Sequence, residues 1–77
     1  GEALFITAAT HRRLRFLGTP ERRDAFDVLM LKCCRRFEVM RLAWVILADH
    51  YHVILKPETE EAAASWVRAL HWDSAAA

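Results

Sequence analysis

Two apolar runs, residues 40–47 and 50–56, are separated only by Ala48 and Asp49. Parallel strands need a crossover of a dozen or more residues, so these two runs can pair only as an antiparallel hairpin. The first run is apolar at every position except Arg41. That is the pattern of a strand buried on both faces and therefore central in its sheet. The second run alternates, and Pro57 ends it because proline cannot donate to a strand ladder.

The rest of the chain arranges itself around this hairpin. Residues 4–10 are short, apolar and β-favouring, with Thr7 and Thr10, and read as a strand. A basic segment from His11 to Arg15 follows and runs to Gly18. Thr19 before Pro20 is a helix start, with threonine as N-cap and proline in the first turn. Glu21 places negative charge at the positive end of the helix dipole. Phe26, Leu29, Met30, Cys33 and Phe37 then recur at helical spacing and define one apolar face over a helix at 20–37. Asp24, Lys32 and Arg35 fall opposite, and Val28 and Leu31 lie off the stripe. Thr59 caps a second helix with Glu60 and Glu61 in its first turn and Ala63, Trp66, Val67 and Leu70 on its apolar face.

The order strand, helix, strand, strand, helix gives the first five elements of the six-element ferredoxin-like pattern. The expected fold class is therefore α+β: a ferredoxin-like antiparallel sheet with helices on one face and the last strand missing. No repeat or linker divides residues 1–77, so a single domain is expected, with 77 residues allowing one and not two. The chain begins at Gly1 without methionine and ends in three alanines, which reads as an incomplete domain.

Composition excludes several classes. With 55% apolar residues, a net charge of +1 and only two glycines and two prolines, the chain is neither disordered nor a linker or collagen-like sequence. No stretch approaches the roughly 20 apolar residues of a membrane helix, and no signal peptide is present. Adjacent Cys33 and Cys34 build no disulfide framework and point to reduced thiols in the cytoplasm. Nine of the 11 basic residues are arginine, clustered at Arg12, Arg13 and Arg15, at Arg22 and Arg23, and at Arg35 and Arg36. Arginine suits bidentate contact with phosphate or carboxylate, but the same charges also suit solvated helix faces.

His50, Tyr51 and His52 carry the most chemistry. Strand side chains alternate, so His50 and His52 share a face, roughly 6.5–7 Å apart along the strand. Two readings follow: the imidazoles converge on a divalent metal, or they are half-buried strand histidines bonded to backbone or water. A metal centre needs further ligands. Asp49 lies in the turn and alternates away from the histidine face. His11 is a candidate if the first strand pairs beside the third, and His71 on the last helix is another. Cys33 and Cys34 point about 100° apart on a helix and cannot chelate together. The chain has no glycine-rich phosphate loop.

The segment 41–55, with its apolar run, its Leu47-Ala48-Asp49 turn and His50-Tyr51-His52, resembles the HUH single-strand DNA transposases with one catalytic tyrosine, and among them the REP-associated tyrosine transposases. The first strand, its basic exit His11-Arg12-Arg13 and the helix at 20–37 extend the resemblance to about residues 3–72. It implies DNA transposition: binding of single-stranded or hairpin DNA by a protein that works as a homodimer. It further implies that His50 and His52 help hold Mg2+ or Mn2+, which polarises the scissile phosphate. A tyrosine on a downstream helix then attacks, leaving a 5′-phosphotyrosine and a free 3′-OH. In this reading Arg12, Arg13 and Arg15 contact phosphates.

The chain departs from the family pattern in two places. Its single tyrosine, Tyr51, alternates away from the histidines. Downstream stand only Trp66, His71 and Trp72, so the nucleophile is expected outside this chain. Ala48 replaces the turn proline. The alternative is a non-catalytic ferredoxin-like module for nucleic-acid binding or assembly.

Overall fold

The computed structural model describes residues 2–9 and 17–76. Its elements, in chain order, are β1 (Leu4–Ala9), α1 (Pro20–Phe37), β2 (Met40–Ile46), β3 (His50–Lys56) and α2 (Glu60–Ala76). The α+β order is the one expected. Both helix starts use their threonines. Thr19 is extended and its hydroxyl accepts from the Arg22 N–H at 3.2 Å. Thr59 Oγ1 accepts from the Ala62 N–H at 3.0 Å. Each satisfies a donor that the first turn leaves without an intrahelical partner. α1 ends where Glu38 adopts a left-handed conformation (φ 55°) and donates its N–H to the Cys34 carbonyl.

The three strands form one antiparallel sheet in the order β1-β3-β2. The inward side chains of β3, Tyr51, Val53 and Leu55, are at most 1% exposed. They pack against Phe26, Met30 and Cys33 of α1 and Trp66 and Leu70 of α2, so both helices cover the same face. The rings of Phe26 and Tyr51 lie 5.4 Å apart. Leu17 is fully buried in this core, and its N–H donates to the Ala48 carbonyl at 2.9 Å. Val28 and Leu31, off the apolar stripe, are exposed. No helix among the described residues is long and apolar enough to cross a membrane.

The position of β2 corrects the sequence reading. The apolar run at 40–46 is an edge strand, not the central one, and Met40, Leu42, Trp44 and Val45 are all exposed. The central strand is β3, which bonds to both neighbours. An apolar run signals a strand but not its place in the sheet. The register adds a second reason. Arg41 pairs with Leu55 and Ala43 with Ile54, so Leu42 is an extra, bulged residue. A bulge sets two residues against one and reverses which side chains face inward beyond it.

The bulge turns Arg41 toward the helices, where its side chain is 4% exposed. The guanidinium pairs with Asp27 of α1, approaches the Met30 sulfur at 3.7 Å and covers the Trp44 ring at 3.5 Å. A buried cation needs such a partner. Asp27→Ala strands the guanidinium and is expected to cost about 1–3 kcal/mol, the range for a buried donor left unpaired. Urea unfolding that shows no loss would contradict this role for the pair.

Candidate functional site

Strand alternation on β3 sends His50, His52, Ile54 and Lys56 to the face away from the helices. His50 and His52 are half-buried there, with ring centroids 5.1 Å apart and planes at 85°. The site is framed by β1, because its central neighbour is β3: Thr7 pairs with His52 and Ala9 with His50.

Each imidazole has its Nδ1 engaged. His50 Nδ1 lies 2.8 Å from Asp49 Oδ1, and His52 Nδ1 lies 3.0 Å from Thr7 Oγ1. A carboxylate only accepts, so His50 donates from Nδ1, and its Nε2 keeps a lone pair when the ring is neutral. A partner on the second ring nitrogen is the usual way a metal-binding histidine is oriented. The Thr7 hydroxyl can donate or accept, so His52 offers Nε2 to a metal in the tautomer that donates from Nδ1 to Thr7. In that tautomer the donor chemistry fits a divalent metal at the two Nε2 atoms. Among the described residues, no group of three or more His, Cys, Asp or Glu side chains is placed to hold a metal ion.

Asp49 corrects the expectation that it points away. It lies in the bend before β3, outside the strand ladder, so alternation does not bind it, and its carboxylate turns to His50. His71 is also corrected. Its Nε2 lies 2.8 Å from the Tyr51 hydroxyl on the helix side of the sheet, so it cannot join His50 and His52. Burial lowers the His71 pKa below its ordinary value. Cys33 and Cys34 are buried and free in the core on the helix side of the sheet, away from His50 and His52, and burial raises the Cys33 thiol pKa.

Tyr51 lies where alternation placed it, fully buried and on the face opposite the histidines. Burial pushes its hydroxyl well above its ordinary pKa, so the phenol stays neutral. His11, Arg12, Arg13 and Arg15 lie outside the described residues. The described residues on either side of that segment, Ala9 and Leu17, both bond at the His50 end of β3: Ala9 pairs with His50, and Leu17 bonds to Ala48. The sequence does not mark Thr7 as a site residue. Only the β1–β3 register reveals it, because nothing in its local pattern distinguishes it from any strand threonine.

No protein-family model and no curated protein matches the chain. Its structure is similar to the crystal structure of a "putative transposase" from Deinococcus radiodurans R1, with a TM-score of 0.81 and 20% sequence identity. The likeness covers 97% of this chain and 57% of that one, so this chain spans little more than half of that protein's length. At this identity the likeness shows a shared fold.

Proposed function

We propose that this chain is the metal- and single-strand-DNA-binding core of an HUH transposase. The observation that carries the reading is the His50–His52 pair. Both imidazoles stand on the open face of the central strand, and both have Nδ1 hydrogen-bonded. His50 and His52 would hold Mg2+ or Mn2+ through Nε2. Asp49 and Thr7 fix the two rings. The metal, when bound, polarises the phosphate at the cleavage position. The fold shared with a protein described as a transposase supports the same reading. The basic segment containing Arg12, Arg13 and Arg15 is flanked by residues at the His50 end, which suits phosphate contacts beside the metal pair. The exposed apolar residues of the β2 edge suit the homodimer that the family resemblance implies.

Cleavage through a 5′-phosphotyrosine needs a tyrosine that can reach the metal face. Tyr51 is the only tyrosine in the sequence. Its burial, raised pKa and opposite orientation remove it from that role. The nucleophile in this reading is supplied from outside these 77 residues. The same observation favours the second reading, a module that binds nucleic acid without cutting it.

Fluorescence anisotropy with a hairpin carrying a single-stranded flank tests the proposal. The expected result is binding that is tighter with Mn2+, weaker with rising salt, and stronger for the single-stranded flank than for plain duplex. A denaturing gel should show no protein–DNA adduct. Equal affinity for single strand and duplex, or no binding by the folded chain, would contradict the function. A covalent band lost in Tyr51→Phe would overturn the role given to Tyr51.

A further inference from the structure

Phe5 is 67% exposed on the open face of the edge strand β1, where a large aromatic side chain contributes no core packing. It pairs with Ile54 across β1 and β3, and Ile54 pairs with Ala43 across β3 and β2. A large, a medium and a small side chain thus stand in one row. In the next row Thr7, His52 and Val45 are aligned. The small Ala43 leaves an open cleft of about 170 Å³ lined by Phe5, Ala43, Val45, His52 and Ile54. The Phe5 ring centroid lies 6.0 Å from that of His52, tilted by 36°.

The chemistry along β3 is ordered. His50 and His52 stand at one end of its open face, Ile54 in the middle and the exposed Lys56 at the other end. The distance from His52 to Lys56 is about 13 Å at roughly 3.3 Å per residue. A single nucleic-acid strand carries anionic phosphates with flat apolar bases between them. The face offers a histidine pair, an aromatic-lined cleft and an ammonium in that order along β3. Exposed aromatic residues on a sheet face stack unpaired bases well, because every base has a π-face.

We infer that the Phe5 cleft is a nucleobase subsite. It stacks one unpaired base of a DNA strand on the Phe5 ring, next to the His50–His52 pair, while Lys56 takes a neighbouring phosphate. The inference rests on the single-strand-DNA reading above and adds where the strand lies and which side chain holds its base.

The test compares the wild type with Phe5→Ala, Phe5→Trp and His50→Ala/His52→Ala. The probe is a mixed-sequence single-stranded 12-mer carrying 2-aminopurine, read by anisotropy and by quenching of the base fluorescence. Phe5→Ala removes an exposed side chain, and its thermal melt serves as the check on folding. Phe5→Ala is expected to weaken binding by about 5- to 150-fold and abolish the quenching, with Mn2+ binding unchanged. Phe5→Trp should retain both affinity and quenching. If Phe5→Ala binds as the wild type does while the double histidine variant loses its Mn2+-dependent binding, the subsite is wrong and the DNA reading stands. If the wild type binds no single strand, both fall. If Phe5→Ala instead converts a dimer to a monomer at unchanged DNA affinity, a second copy covers the cleft and the nucleobase is excluded.

Discussion

Trp66→Ala should lower the unfolding free energy by about 3–5 kcal/mol, the range for removing a buried large aromatic side chain. Trp66 is fully buried and sits where α2 meets both α1 and β3. Its indole Nε1 is buried without a hydrogen-bond partner among the described residues, so the substitution sacrifices packing and no bond. Tyr51, Met30 and Leu70 of the same core cluster are themselves fully buried and belong to three different elements. They cannot collapse inward without moving a strand or a helix, and the cavity term should therefore be paid nearly in full. Small domains hold only about 5–15 kcal/mol in total. The melting temperature should fall by roughly 12–40 °C, since each kcal/mol shifts a domain of this size by about 4–8 °C. Trp66→Phe, which keeps most of the ring volume, should lose much less. A thermal melt of Trp66→Ala within a few degrees of the wild type would contradict the packing of α2 on the sheet.

Much of the fold was legible in the sequence because its signals are local. Thr19-Pro20 and Thr59 with the glutamates after it fixed both helix starts. The spacing of Phe26, Met30 and Cys33 gave the buried face of α1. The alternation of Tyr51, Val53 and Leu55 against His50 and His52 gave the two faces of β3. The place of β2 was not legible, since Leu42, Trp44 and Val45 have the composition of a central strand and the structure puts them on an edge. Edge or centre depends on which strands bond to which, a long-range property that hydrophobicity does not encode. The bulge at Leu42 was equally hidden, because no glycine marks it.

The candidate site divides in the same way. The shared face of His50 and His52 follows from period-two alternation alone. Their partners do not. Asp49 escapes the alternation rule because it lies in the bend, and Thr7 comes from 45 residues away through the β1–β3 register. His71 looked equivalent to the other histidines in the sequence. Only the packing of α2 shows that it serves Tyr51 on the far side of the sheet.

The second large effect is expected at the histidine pair. His50→Ala/His52→Ala removes both imidazoles that the described residues offer to a metal, and both are on a solvent-facing side of β3 where little packing is lost. Mn2+ affinity should fall by more than about 100-fold, beyond the 10- to 100-fold typical when only an orienting partner is lost. Asp49→Ala, which keeps both rings but frees His50 Nδ1, should fall within that smaller range. The measurement that bears most directly on the account is a calorimetric Mn2+ titration of the folded wild type beside the double variant. A saturable binding heat is expected in the wild type and should disappear in His50→Ala/His52→Ala while the thermal melt is unchanged. Equal Mn2+ binding by the two proteins, or none by the folded wild type, would contradict the metal site.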